Sequence, residues 1–212
     1  MILNNSYYKK LIMIKNTKQL IYCIILFITM ISFDISFATN LEQVAETFIS
    51  NTSNKTLEII NSQVITSTKS QELEELFIEV MDIDWMAKFA IAKFWKDMSE
   101  VQKNNYLKAY KNYLIKTYVP KFQEYNNQII KIINTKDIGN SIYIVSTQIV
   151  NNSTAEKRTI NIGYRCKVDV DNIKIRDIIG EDFSLLSTQR SEFASVIANG
   201  NIDKLIKILL EK

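Results

Sequence analysis

The chain has 212 residues, a formal net charge of +3 and no histidine. The lack of histidine excludes Ser-His-Asp and Cys-His catalysis and removes the commonest protein ligand of zinc and non-haem iron. The sequence has four glycines and neither standard glycine-rich phosphate loop. If the protein is an enzyme, its catalysis must depend on carboxylates, Lys or Tyr.

Residues 1–38 have the parts of a secretory signal peptide. A basic region comes first, with Lys9, Lys10, Lys15 and Lys18. The apolar run Leu20–Phe33 follows, and it is shorter than the roughly 20 residues of a membrane-spanning helix. Ser36 and Ala38 supply small side chains before a cut after Ala38. We therefore expect a signal peptide over residues 1–38 and a single domain over 39–212, with an uncleaved membrane anchor as the alternative.

Without residues 1–38 the chain is formally neutral, because this segment holds four lysines and one aspartate. The balance gives no electrostatic reason to expect nucleic acid as a partner. Cys166 is the single cysteine of residues 39–212, so no disulfide can form within that part of the chain. A domain of this length can bury a sizeable core without one.

Four short amphipathic stretches with helical spacing begin the domain, and polar residues separate them. Their apolar residues lie within 41–49, 57–64, 73–80 and 86–94. Ser99 then starts the clearest helix, because its hydroxyl can accept from a helical amide while Gln102 reaches back to the Ser99 amide. We expect this helix to continue through Tyr118, and Pro120 to kink or end it.

From Gln128 the apolar period changes to two, which predicts strands. The predicted strands are Gln128–Thr135, Ser141–Val150, Lys157–Val170 and Ile173–Ile179. On the third strand one face is apolar, with Ile160, Ile162, Tyr164, Cys166 and Val168. The short polar connections favour antiparallel pairing.

Two further helical stripes follow the strands, the first from Phe183 to Ile197 and the second from Ile202 to Leu209. The order of helices, strands and helices predicts an α+β fold. We expect an antiparallel sheet of four or slightly more strands, packed by the helices that precede and follow it.

The long helix carries an unusual row of aromatic side chains: Tyr106, Tyr110, Tyr113, Tyr118, Phe122 and Tyr125. Their spacing alone is typical of an ordinary core face. Phenols, however, line surfaces that are apolar in body and wet at one end, which suits an amphiphilic ligand. The row is therefore either a core face or a ligand wall.

Three other features could carry chemistry. Arg190 lies on an otherwise apolar stripe, where we favour a structural pair with Asp177 or Glu181 over contact with a ligand's phosphate. The adjacent carboxylates Glu181 and Asp182 fit a solvated turn better than a catalytic pair. Cys166 on the apolar strand face is typical of an inert packing residue.

Two stretches of the chain carry family motifs. Between Asp84 and Tyr125 these are Trp95, the Ser99–Gln102 helix start, Ala109-Tyr110 and Thr117-Tyr118. Between Ile173 and Phe193 they are the strand 173–178, then Asp182-Phe183-Ser184-Leu185 and Gln189-Arg190-Ser191-Glu192-Phe193. In this order they resemble the MlaC family of periplasmic phospholipid-binding proteins, over about residues 82–212. Ala92 and Asp182 stand where the family has glycine, and Ile173 where it has tryptophan.

The resemblance implies an apolar cavity between sheet and helices that holds acyl chains while the headgroup stays near solvent. It also implies a periplasmic carrier that moves phospholipid between an outer-membrane lipoprotein complex and an inner-membrane ABC transporter with its substrate-binding ring, and so maintains envelope lipid asymmetry. The expected lipid contacts are Phe89, Tyr110, Leu114, Tyr118, Ile144, Ile162, Tyr164, Phe183, Leu186 and Phe193.

Such a carrier has no catalytic residue, no cofactor and no metal. A non-catalytic periplasmic adaptor, which binds protein partners through its aromatic face, is the alternative function. An enzyme that acts on lipids through Tyr or carboxylate chemistry is disfavoured by the missing histidine.

Overall fold

The computed structural model describes residues 41–122, 128–151, 159–169 and 172–212. The predicted signal peptide, residues 1–38, and Tyr125 lie outside these ranges. Among the helices within them, none is both long and apolar enough to cross a membrane. Contacts group residues 42–212 into one compact unit.

Helices form the first part of this unit. They are α1 (41–61), α2 (Thr66–Val80), α3 (Ile83–Ile91) and α4 (Glu100–Phe122), with a 3₁₀ helix at Ala92–Asp97. The prediction of two helices before residue 64 is wrong, because α1 continues without interruption through the polar residues 51–56.

The start of α4 is the one predicted from Ser99. The Gln102 amide donates to Ser99 Oγ at 3.2 Å, and the Ser99 amide donates to Gln102 Oε1 at 3.1 Å. Two orphan amides at the helix start are thereby satisfied. Pro120 lies inside the last turn of α4, which continues to Phe122.

The strands form one antiparallel sheet in the order β1-β2-β3-β4-β5. They are β1 (Gln128–Asp137), β2 (Ile142–Asn151), β3 (Thr159–Asp169), β4 (Asn172–Gly180) and β5 (Phe183–Ser184). The predicted α+β fold with an antiparallel sheet is thus confirmed, and the sheet gains a short fifth strand. The helical position predicted for Phe183 is wrong, since this residue pairs with Gly180 in β5.

Two helices follow the sheet, α5 (Leu185–Ala198) and α6 (Ile202–Glu211). The carboxylate of Asp177 in β4 is fully buried. It accepts hydrogen bonds from Ser184 Oγ at 2.7 Å and from the Leu186 amide at 3.0 Å. Asp177 therefore ties the start of α5 to the sheet.

One face of the sheet is buried. On β2 the buried residues alternate along the strand, and they are Tyr143, Val145, Thr147 and Ile149. Their partners on β3 are Cys166, Tyr164, Ile162 and Ile160. Because paired residues share a face, this register confirms the apolar face predicted for β3.

Candidate functional site

An apolar cavity of about 230 Å³ lies between the buried face of the sheet and helices α1, α2 and α4. The helices contribute Ile49, Thr52, Ser53, Thr56, Leu57, Ile60, Leu73, Leu76, Phe77, Val80, Tyr118, Lys121 and Phe122. Met81 and the strand residues Ile130, Ile149, Ile162, Tyr164, Ile175 and Ile178 complete the lining. The cavity thus lies between layers that are distant in sequence.

The sheet supplies the floor of the cavity. Ile130 of β1 lies opposite Ile149 of β2, and Tyr164 of β3 lies opposite Ile178 of β4. Side chains alternate between the two faces along a strand, so these pairs and Ile162 point to the same side. Branched aliphatic side chains from neighbouring strands therefore form a continuous apolar floor.

Helices α1 and α2 supply the opposite wall. The lining residues of α2 follow the spacing i, i+3, i+4, i+7, and they are Leu73, Leu76, Phe77 and Val80. This spacing places them on one stripe of the helix. The Phe77 ring lies 6.4 Å from the Phe122 ring at the end of α4, so α2 and α4 meet beside the cavity.

Polar side chains line the cavity mainly along α1 and near the end of α4. Thr52, Ser53 and Thr56 come from α1, and Thr56 Oγ1 donates to the Thr52 carbonyl at 2.8 Å. On α4, Lys121 Nζ lies 5.4 Å from the centroid of the Tyr118 ring, close enough for a cation–π attraction. Among the described lining residues one is cationic and none is acidic.

The aromatic row of α4 divides into two parts. Tyr106 and Tyr110 are fully buried among the helices, and Tyr110 OH donates to Gln189 Oε1 at 2.7 Å. Burial raises the pKa of both phenols. Tyr118, in contrast, lines the cavity, and burial raises its pKa to about 12. Among the described residues the row is therefore a core face at Tyr106 and Tyr110 and a cavity wall at Tyr118 and Phe122.

Seven of the ten predicted lipid contacts are buried in the interior or line the cavity. Tyr118, Ile162 and Tyr164 line the cavity. The other four are buried away from it, and they are Tyr110, Leu114, Leu186 and Phe193. The rings of Tyr110 and Phe193 meet edge to face at 6.2 Å in this helical core. Lipid contact by any of the seven stays a prediction.

The inward orientation predicted for Ile144 and Phe183 is wrong. Tyr143 and Val145 are buried on the cavity side of β2, so Ile144 between them points to the opposite face. Phe183 is 77% exposed, because the chain enters β5 at this residue and the helix begins only afterwards. Phe89 is half-buried outside the cavity lining, where it stacks on Trp85 at 5.1 Å.

The structural pair predicted for Arg190 is also wrong. The fully buried Asp177 is 3.6 Å from Arg165 instead, and Glu181 accepts a hydrogen bond from the Asn161 amide at 2.8 Å. Arg190 is exposed, and its guanidinium lies 4.9 Å from the centroid of the Phe89 ring. It does not line the cavity, and its contact with a headgroup stays a prediction.

The sequence did not single out the α1 and α2 wall or Lys121 as part of a site. Hydrophobic periodicity found the apolar faces of both helices, but the same pattern describes a helix on a filled core and a helix over a cavity. For Lys121 the available signal was its place one turn after Tyr118 on the same helix.

The part of the chain that the structure describes has no group of three or more His, Cys, Asp or Glu side chains able to hold a metal ion. Cys166 is fully buried, and burial raises the pKa of its thiol to about 12. A thiol in that environment stays protonated and packs as a small apolar side chain.

Comparison with known proteins finds a family model and solved structures that are similar to the chain. A family model described as MlaC protein matches residues 50–211, a range that contains all of the cavity lining except Ile49. A solved structure from Ralstonia solanacearum, described as a phospholipid-binding protein in complex with a phospholipid, is similar in fold, with a TM-score of 0.66 and 20% sequence identity. The match covers 77% of this chain and 93% of that chain. No curated protein sequence matches the chain.

Proposed function

Because the chain belongs to the MlaC family and its sheet and helices enclose an apolar cavity, we propose that it binds a phospholipid in that cavity. The observation that carries the proposal is the lining itself, which is mostly aliphatic and aromatic. The Ralstonia solanacearum protein of similar fold, which holds a phospholipid, supports it.

The energy of such binding comes from the acyl chains. Each methylene that leaves water contributes roughly 0.8 kcal/mol, so several methylenes in a dry cavity suffice without any covalent step. The function is therefore binding and release. No chemical step is proposed.

The cavity enlarges when a lipid enters. Its volume of about 230 Å³ is below the roughly 300–1,000 Å³ of pockets for drug-sized ligands, and a phospholipid is larger than such ligands. Hydrogen bonds join α1 and α2 to the sheet, among them Thr135 Oγ1 to Glu46 Oε1 at 2.8 Å and Lys174 Nζ to the Glu79 carbonyl. Across the cavity, however, the wall of α1 and α2 faces the floor mainly with apolar side chains, which can separate without leaving buried polar groups unpaired. We therefore expect these helices to move away from the sheet on loading.

The cellular role extends this proposal. Residues 1–38 direct export, and residues 39–212 act in the periplasm as a carrier between an outer-membrane lipoprotein complex and an inner-membrane ABC transporter with its substrate-binding ring. This transport maintains the lipid asymmetry of the envelope. Membership of the MlaC family supports the role.

The proposal is tested on protein purified from the periplasm of the producing cell. Mass spectrometry of an organic extract should detect phospholipid in amounts comparable with the protein. After delipidation, incubation with phospholipid vesicles should restore the bound lipid. Repeated preparations that contain no phospholipid and cannot be loaded would contradict the proposal.

A further inference from the structure

The polar lining residues of the cavity come from two helix segments that both contact the second half of α2. Glu79 of α2 pairs with Lys55 of α1 at 3.6 Å, and the ring of Phe77 lies 6.4 Å from that of Phe122 in α4. Thr52, Ser53 and Thr56 lie within two turns of α1, and Lys121 lies in the last turn of α4. Lys121 is exposed, whereas the three α1 residues are half-buried. A side chain that both lines a cavity and meets solvent marks its mouth.

The cation of the lining has no ion-pair partner among the residues that the structure describes. Lys121 is the cation of the lining, and within the described ranges no carboxylate lies within ion-pair distance of its ammonium group. The nearby Lys55 is in contrast engaged by Glu79 at 3.6 Å. The position of Lys121 above the Tyr118 ring restricts its side chain, which lowers the entropy lost when an anion binds.

From this arrangement we infer that Lys121 and the hydroxyls of α1 form the subsite for the phosphate of the bound phospholipid, an inference that rests on the proposed function. The ammonium group of Lys121 offers three donors to phosphate oxygens, and the Ser53 hydroxyl can add another. The acyl chains then extend inward over Ile162 and the rest of the apolar floor. Recognition at this subsite requires a phosphate attached to acyl chains and leaves the rest of the headgroup in solvent.

The test is a competition between two lipids that differ in the phosphate. Delipidated protein is incubated with vesicles that contain equal amounts of phosphatidylglycerol and of diacylglycerol with the same chains, and the bound lipids are quantified by mass spectrometry. The wild type should prefer phosphatidylglycerol about tenfold or more, the effect of one hydrogen-bonded charge. Lys121→Met should bring the ratio near one.

Two further variants serve as controls. Lys121→Arg keeps the charge and should retain the preference. Lys116→Met removes an exposed lysine of the same helix that does not line the cavity, and it should also retain the preference. Free glycerol phosphate, which has no acyl chains, should not compete at millimolar concentration.

The outcomes separate the inference from the proposed function. If the wild type binds both lipids equally, or Lys121→Met keeps the wild-type ratio, the phosphate subsite is refuted while lipid binding stands. Competition by free glycerol phosphate would show that the subsite accepts a phosphate ester without acyl chains, and it would overturn the assignment of the subsite to a lipid headgroup. If the wild type binds neither lipid, the proposed function itself fails.

Discussion

At the scale of single residues, Ala92 and Asp182 have backbone angles that favour glycine. Their φ values are 40° and 69°, in the region where a Cβ atom crowds the following carbonyl. Both stand where the resembled family pattern has glycine. The chain therefore adopts backbone angles suited to glycine at two positions that carry a side chain.

Ala92→Gly should raise the free energy of unfolding by about 1 kcal/mol. Glycine adopts positive φ without steric cost, and this gain exceeds the entropy that a glycine adds to the unfolded chain. Urea denaturation measures the change. Ala90→Gly, at a buried position in the regular part of α3, is the matched control and should lower stability. Equal losses in both variants would show that Ala92 is not strained.

A second prediction at the scale of residues concerns the hydrogen bond of the buried Gln189. Its Oε1 accepts from Tyr110 OH at 2.7 Å, while its Nε2 has no hydrogen-bond partner in the described structure. Tyr110→Phe would leave the buried Oε1 without its donor. We expect a loss of about 1–3 kcal/mol, the cost of a buried unsatisfied polar group, measured by urea denaturation.

The double variant Tyr110→Phe with Gln189→Met is the control for that bond. Replacing both partners by apolar groups of similar shape removes the unpaired amide, so it should recover most of the lost stability. If the double variant is less stable than Tyr110→Phe alone, the hydrogen bond is not the cause of the loss.

At the scale of helices and strands, the two faces of the sheet have different roles. Ile162 of β3 lines the cavity, and Ile144 of β2 lies half-buried on the opposite face. Ile162→Trp should fill the cavity and lose most of the phospholipid bound by the wild type, at a cost of about 1–3 kcal/mol in stability from overpacking. Bound lipid after vesicle loading is the measurement.

Ile144→Trp is the matched control, because it adds the same volume outside the cavity. It should load phospholipid like the wild type. Equal loading by both tryptophan variants would mean that lipid does not enter between the sheet and the helices. Circular dichroism of each variant would establish that both are folded.

Sequence patterns predicted some of these elements correctly and others wrongly. The apolar face of β3 and the Ser99 start of α4 follow from local rules, strand alternation and the capping box, and the structure confirms both. The break predicted near residue 53 is wrong because the run of polar residues 51–56 resembles a connection, although it lies inside a helix. The prediction of a helical position for Phe183 is wrong because a strand of two residues is too short to give a detectable pattern.

The cavity could not be predicted from the residues in the same way. Tyr118, Ile162 and Tyr164 were identified, but Ile144 was placed on the wrong face because its neighbours Tyr143 and Val145 are also apolar. Periodicity gives the direction of a side chain relative to its own element. Whether facing layers touch or leave space depends on the packing of elements distant in sequence.

At the scale of the whole molecule, buried thiol and phenol groups should make the protein less stable at alkaline pH. Burial raises the pKa of Cys166 and of Tyr118 to about 12, and it raises the pKa of Tyr110 as well. In the unfolded chain these groups ionise near roughly 8.5 for Cys and 10 for Tyr. Between the unfolded and folded pKa values the folded state keeps protons that the unfolded state releases.

The contribution of these groups to the free energy of unfolding should therefore be complete below about pH 8.5, and it should be lost as the pH rises toward 12. The midpoint of urea unfolding at about pH 10.5 should be lower than at about pH 7.5. Tyr118→Phe removes one of the contributing phenols and should reduce the difference. Equal midpoints for the wild type would contradict burial of these groups.

In the proposed complex, the acyl chains of a phospholipid lie between α1, α2 and the sheet. The most direct measurement uses phosphatidylglycerol with a photoreactive group at the end of one acyl chain, loaded into the protein and activated by light. Mass spectrometry of the peptides should find the label on the cavity lining, on residues such as Leu73, Leu76 and Ile162. Label confined to the outer face of the sheet or to Phe183, or no label on a loaded protein, would contradict this position of the acyl chains.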